Sequence, residues 1–300
     1  MKPPANLHDN WHATALELVK RCATELPADV VTALQQAGHD SDELPAACGI
    51  LKLILDNAKL AAAQGTPLCQ DTGTLTFWLE TPPQSALHLI RSGIEAAVAT
   101  ATQCGYLRHN TIDSLSGKSI ESNVAPGAPL IHFKIDPART TTAVRLLLKG
   151  GGCENVGTQY SLPDVELQAG RDLAGVRTCL LHAIWRAQGL GCAPGILGVA
   201  IGGDRASGYH HAKAQLLRPL DDHAPQPELA ALESELLTAA NSLNIGPMGL
   251  GGKATLLGVK VAALARLPAC YFVTVAYSCW ACRRRGIEVA SDGTLRGWLP

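Results

Sequence analysis

Three of the ten cysteines in this 300-residue chain stand where the backbone must turn. Cys69 lies in Pro67-Leu-Cys-Gln-Asp-Thr-Gly73, Cys192 in Gly191-Cys-Ala-Pro-Gly195, and Cys279 just after the apolar run 271–277. A thiol flanked by Gly and Pro suits an inorganic cluster, because an uncrowded backbone can approach closely and aim N–H groups at sulfide. Three ligands so far apart do not resemble the dense Cys-x-x-Cys run of an electron-transfer ferredoxin. They would leave one iron without a protein ligand, able to act as a Lewis acid toward a hydroxyl and a carboxylate. The competing reading makes each a small buried hydrophobe. Residue type and position leave both open for these three, and favour burial for Cys22, Cys104 and Cys179, which fall inside helical apolar patterns.

Other constellations are weaker. Cys279 and Cys282 spell Cys-x-x-Cys, but zinc wants a second such pair, and Arg283, Arg284 and Arg285 do not supply a thioredoxin-like redox context. The loop ending Gly252-Lys253 carries Pro247 and Ala254 where a phosphate loop needs Gly and Ser or Thr. Residues 198–203 lack the G-x-G-x-x-G spacing of a dinucleotide site. Arg108, Arg205 and the arginines after Cys282 could grip a dicarboxylate bidentately, or could simply be helix-end and surface charges in ion pairs. His109, His210 and His211 fall near the same loops, with no metal-ligand spacing.

The elements that must carry these loops can be read from periodicity. Apolar positions three and four apart predict helices over 13–26, 47–63 and 85–104, with a strand over 74–80 between them. Short apolar runs predict strands over 130–135 and 143–148, followed by Gly150, Gly151 and Gly152. A helix over about 167–188 leads to a buried strand at 195–203. Asp204 then suits a helix N-terminus. The stretch 219–227 reads as a connection into a helix over 228–240, and 246–252 as a glycine-rich loop. The fold class expected is α+β: mixed sheets flanked by helices, a helix-rich N-terminal third, and cluster-binding loops at strand ends.

Hydrophobic residues make up 47% and charged residues 17% of the chain, enough apolar surface to offset the entropy of ordering. A formal charge of -1 without a long basic tract argues against a nucleic-acid partner. No apolar run approaches the ~18 residues that span a bilayer, so no membrane insertion is expected. Residues 1–20 are polar and helical in pattern, without a secretion or organelle address. With reduced thiols expected, a cytoplasmic protein is anticipated.

Six short motifs, taken in order, resemble the alpha subunit, or N-terminal region, of class I fumarate hydratases and L-tartrate dehydratases. They are Cys69-Gln-Asp-Thr-Gly73, Leu107-Arg-His-Asn110, Gly150-Gly-Gly-Cys153, Gly191-Cys-Ala-Pro-Gly195, Gly246-Pro-Met-Gly-Leu250 and Cys279-Trp-Ala-Cys-Arg-Arg284. The likeness covers nearly the whole chain and implies one iron-sulfur hydro-lyase domain over residues 1–300. It implies that Cys69, Cys192 and Cys279 hold a 4Fe-4S cluster. It also implies that Gln70, Asp71, Arg108, Gly151 and Gly152 face a small dicarboxylate substrate, and that Asp71 belongs to the acid–base machinery.

Relatives complete the catalytic unit with a second domain carrying further substrate-binding arginines and a catalytic Thr. For this chain, ending at Pro300, the resemblance implies a separate beta subunit and hence a hetero-oligomer. A substrate-contacting His usual in the family twelve residues before the last cluster cysteine is Leu267 here. That exchange leads one to expect a substrate other than plain fumarate, such as a methyl-substituted relative. Two further classes remain at this stage: a non-catalytic iron-sulfur or regulatory protein that retained the cluster loops, and a nucleotide-binding enzyme using the glycine loops.

Overall fold

A computed structural model of the chain describes residue 4 and residues 6–299, so part of the helical reading of the N-terminus, at residues 1–3 and 5, lies outside the described residues. The α+β expectation holds, and the chain divides into two compact units. The first comprises the residues up to Pro27, Asn57–Gly150 and those from Arg283 on; the second comprises Ala28–Asp56 and Gly151–Cys282. Among the described residues no helix is long and apolar enough to cross a membrane.

The first unit is built on five strands. These are β1 (Thr74–Thr81), β2 (Leu130–Ile135), β3 (Thr142–Lys149), β8 (Arg283–Val289) and β9 (Leu295–Leu299), in the order β2-β1-β3-β8-β9. Only β1 and β2 run parallel. Helices α1 (Leu7–Thr24) and α4 (Leu87–Gln103) cover one face. Trp11, Leu18 and Val19 of α1 and Ile90 and Ile94 of α4 bury against Phe77, Leu79, Leu146 and Ile287. The three- and four-residue apolar spacing seen in the sequence forms these helix faces, and period-two alternation supplies the sheet side.

The second unit holds four strands, β4 (Thr158–Ser161), β5 (Gly195–Ile201), β6 (Leu256–Ala263) and β7 (Phe272–Ser278), in the order β4-β7-β5-β6. Strand β5 is buried at every residue because it is covered on both faces. Leu197, Val199 and Ile201 enter the core formed with α6 (Leu173–Ala187) and α8 (Pro227–Asn241). On the opposite face, α7 (Arg205–Gln215) comes close enough that a side-chain carbon on Gly198 would lie 2.2 Å from the Ala212 carbonyl. The Asp204 reading holds: its carboxylate accepts the Ala206 and Ser207 N–H groups, and Ser207 completes a capping box. Asp172 caps α6 in the same way through Gly175 N–H, placing that helix start later than its apolar pattern alone would. Helices α2 (Ala28–Gly38) and α3 (Pro45–Gln64) precede the sheets, and α5 (Gly151–Asn155) is a single short turn of helix after β3.

Candidate functional site

In the first unit the Cys69 loop is clamped on both sides. Leu68 donates its N–H to the Ala23 carbonyl at 2.9 Å, and its own carbonyl accepts Asn57 Nδ2 at 3.0 Å. Beyond Cys69, Asp71 turns the chain by accepting the Gly73 N–H on Oδ1 at 3.0 Å. Gly73 has φ +78°, and a Cβ there would stand 2.5 Å from the Lys149 carbonyl, so only glycine allows the loop to lie on the end of β3. Arg283, 1% exposed, donates Nη1 to the Asp71 carbonyl at 2.7 Å, while its buried Nε has no hydrogen-bond partner.

The Arg108 segment meets the same loop. Thr72, fully buried, accepts the Arg108 N–H at 3.0 Å, and Asn110 Nδ2 donates to Asp71 Oδ1 at 3.1 Å. Half-buried Cys69, exposed Gln70, Thr72, exposed Arg108 and His109 line an open cavity of about 540 Å³. A cationic fork and a side-chain amide on a solvent-reached wall, with a carboxylate fixed beside them, can receive a small carboxylate from water.

In the second unit the other two cysteine loops adjoin. The Cys192 turn closes through its N–H to the Gly189 carbonyl at 3.0 Å and takes the left-handed conformation, φ +55°. The Trp280 N–H reaches the Cys192 carbonyl at 3.4 Å, tying this turn to the segment that follows Cys279. Met248, in the Gly246–Gly252 loop, donates its N–H to the Ala193 carbonyl at 2.8 Å. The Tyr277 ring lies under the turn: side-chain carbons on Gly191 and Gly195 would stand 2.5 and 2.2 Å from it. Burial, then the nearby Cys279, Cys153 and Cys192 thiols, push the Tyr277 phenol far above its ordinary range. Cys153, buried in α5, approaches the Gly191 carbonyl with Sγ at 3.9 Å, and Gly151 and Gly152 open that helix, both exposed.

The remaining candidates fall in varied places. Leu267 is 70% exposed, on the loop before β7, whereas Cys279 follows the other end of that strand. Seven strand residues span about 23 Å, so Leu267 is not a buried contact beside the Cys279 loop. Cys104 is exposed at the end of α4, not buried as its helical pattern implied. Cys22 and Cys179 are buried as expected. Arg205 stacks on Phe272 and donates to Gln159 and Ser161, and Arg285 pairs with Glu25 at 2.8 Å. Both guanidinium groups are thus engaged within the chain. His210 and His211 contact each other edge to face on α7. Among the described residues no group of three or more His, Cys, Asp or Glu side chains stands ready to hold a metal ion. Sequence reasoning missed Tyr277, since one aromatic in an apolar strand carries no signal of what it packs under.

The sequence model of the family described as fumarate hydratase (fumerase) matches residues 12–288. The chain belongs to this family. A putative fumarate hydratase class I of Geobacillus stearothermophilus is 45% identical over 296 residues, covering 97% of this chain and 57% of that protein. The chain thus spans little more than half of that relative's length. A putative L(+)-tartrate dehydratase subunit alpha of Methanocaldococcus jannaschii is 32% identical over 93% of this chain and 98% of its own length. An L(+)-tartrate dehydratase subunit alpha of Escherichia coli is 30% identical over 91% of this chain and 88% of its own. All six motifs lie inside the stretch matched to the fumarate hydratase family.

Proposed function

We propose that residues 1–300 act as the cluster-bearing part of an iron-sulfur hydro-lyase, adding or removing water on a small dicarboxylic acid of the fumarate/malate or tartrate kind. The observation that carries the reading is the fumarate hydratase family match over residues 12–288, which includes every cysteine loop and the Arg108 segment. Cys69, Cys192 and Cys279 are the proposed ligands of a 4Fe-4S cluster. What supports the assignment is that thiolate is the ligand iron-sulfur clusters take and that, within the second unit, the Cys192 turn is bonded to the segment after Cys279. When bound, the cluster would supply an open iron as Lewis acid, easing departure of hydroxide.

The chain's own residues do the rest. The Arg108 guanidinium receives a substrate carboxylate as a planar fork, and Gln70 adds a hydrogen bond from the same wall. Gly151 and Gly152, without side chains, let substrate approach the backbone. Asp71, held in orientation by Gly73 N–H and Asn110 Nδ2, moves a proton at its carboxylate in the acid–base step. A partner subunit, in keeping with the alpha-subunit names of two relatives, completes the reaction, which makes the working enzyme a hetero-oligomer. The reducing state needed to keep ten thiols and a cluster intact favours the cytoplasm.

The test is anaerobic co-expression with a beta-type partner, assaying hydration of fumarate and dehydration of L-tartrate. Turnover by the complex and none by this chain alone is expected. Equal turnover by the lone chain would remove the partner from the proposal, and none by the loaded complex on any dicarboxylate would sink the hydro-lyase reading.

A further inference from the structure

The connection from α4 to β2, residues 104–129, has almost no regular structure, and ordered connections of that length are uncommon. One side chain organises its first part. Asn123 is 2% exposed and takes the left-handed backbone conformation, φ +56°, which Asn tolerates. Its Oδ1 accepts the N–H groups of Asn110 at 3.0 Å and Thr111 at 2.9 Å. Its Nδ2 donates to the Arg108 carbonyl at 2.7 Å and to Thr102 Oγ1 at 3.0 Å. Both amide hydrogens and two acceptor positions are therefore used. Thr102 is itself anchored in α4, donating to the Val98 carbonyl at 2.8 Å.

We propose that Asn123 is a positioning residue of the substrate site. It fastens the segment 108–111 to α4, so that Arg108 stands in the cavity wall and Asn110 holds the Asp71 carboxylate. Asn123 is not among the residues lining the cavity and acts only through this segment. The inference rests on the hydro-lyase reading above, in that it assigns Arg108 and Asp71 to substrate.

Two variants separate positioning from mere stability. Asn123→Gly keeps the backbone conformation and removes all four bonds; Asn123→Asp keeps the backbone and the acceptor but loses both donations. In the anaerobically assembled complex, kcat and KM for fumarate and L-tartrate are measured beside iron per chain. In the full chain alone, hydrogen exchange of the Thr111 N–H is followed, since its bond to Asn123 is direct. Asn123→Gly should lower kcat/KM at least tenfold at wild-type iron content and speed Thr111 exchange at least tenfold, with α1 and β3 amides unchanged. Asn123→Asp should retain Thr111 protection and lose less activity.

A kcat/KM within twofold of wild type in Asn123→Gly, or unchanged Thr111 exchange, would overturn the proposal. So would iron loss in step with activity. If Asn123→Gly does not fold, Asn123→Asp decides: a fall in kcat/KM of threefold or more with iron retained supports positioning, and wild-type kinetics refute it. A wild-type complex without hydro-lyase activity would sink the functional reading, while Thr111 exchange would still report whether Asn123 holds the segment.

Discussion

Replacing Glu43 with alanine should lower the unfolding midpoint of the second unit by about 6–12 °C. Glu43 is 9% exposed, and its carboxylate gathers three backbone donors. Oε1 accepts the Leu44 N–H at 2.8 Å and the Lys253 N–H at 2.9 Å, and Oε2 accepts the Ala254 N–H at 2.8 Å. Ala254 is 6% exposed, so its orphaned N–H alone costs about 1–3 kcal/mol. Leu44 is exposed and Lys253 half-buried, so water replaces much of what they lose. A total near 3 kcal/mol follows, and a unit of this size shifts by about 2–4 °C per kcal/mol.

The loss also reaches the cysteines. Glu43 fastens Lys253 and Ala254, where the loop 246–252 ends, and Met248 of that loop donates to the carbonyl of Ala193, beside Cys192. Loosening should therefore reduce iron retention as well as stability. The assay is calorimetry of the full chain for Glu43→Ala and Glu43→Gln, with Asp42→Ala as control, since the exposed Asp42–Lys253 pair at 2.9 Å should contribute little. Glu43→Gln keeps one carbonyl oxygen and should fall between. A shift under 2 °C for Glu43→Ala would refute this reasoning.

Gly73→Ala should destabilise the first unit more than Gly65→Ala. Both have positive φ, but only at Gly73 would the new carbon strike backbone, at Lys149, and equal unfolding midpoints would contradict this. Maleimide labelling of the folded chain should modify exposed Cys104 quickly and leave Cys22 and Cys179 untouched until unfolding; burial pushes the Cys179 thiol up to about 11. Two paired carboxyls contribute to an acid limit. A hydrogen bond from Arg218 holds Asp222 below its ordinary value, and one from Lys134, helped by Arg139, does so for Glu80. A carboxyl lowered in the fold stabilises above its unfolded value and ceases to do so as pH falls through the folded one. The midpoint should therefore hold from pH 7 to about 5 and decline below about pH 4, less steeply in Asp222→Asn; a parallel decline would remove Asp222 from the explanation.

Much of this architecture was legible in residue order because its helices and strands obey a single period. The strand 130–135 has the bounds its apolar run gives, and Asp204 caps the helix its carboxylate announced. Strand β8 was hidden because Arg283, Arg284 and Arg285 read as surface charge, although the first two are buried. Strand β6 was hidden by Lys260, which is buried and bonded to the Leu220 and Asp222 carbonyls. Four-residue β4 is too short to show a period. In the candidate site, Cys69 and Cys192 stand out as turn cysteines by their Gly and Pro neighbours. The supports do not: Asn57 reaches Leu68, Asn123 reaches Arg108 and Thr111, Glu43 reaches Lys253 and Ala254, and Tyr277 lies under Gly191 and Gly195, and nothing in their neighbours distinguishes them from ordinary polar or aromatic residues.

The most direct measurement is iron content per chain, by elemental analysis of anaerobically purified single alanine variants. With 4Fe-4S ligation by Cys69, Cys192 and Cys279, alanine at any of the three should strip most of the iron and the brown absorbance. Alanine at Cys22 or Cys179 should leave both at the wild-type level. Equal iron in the two groups, or a wild-type chain purified anaerobically without iron, would contradict the assignment.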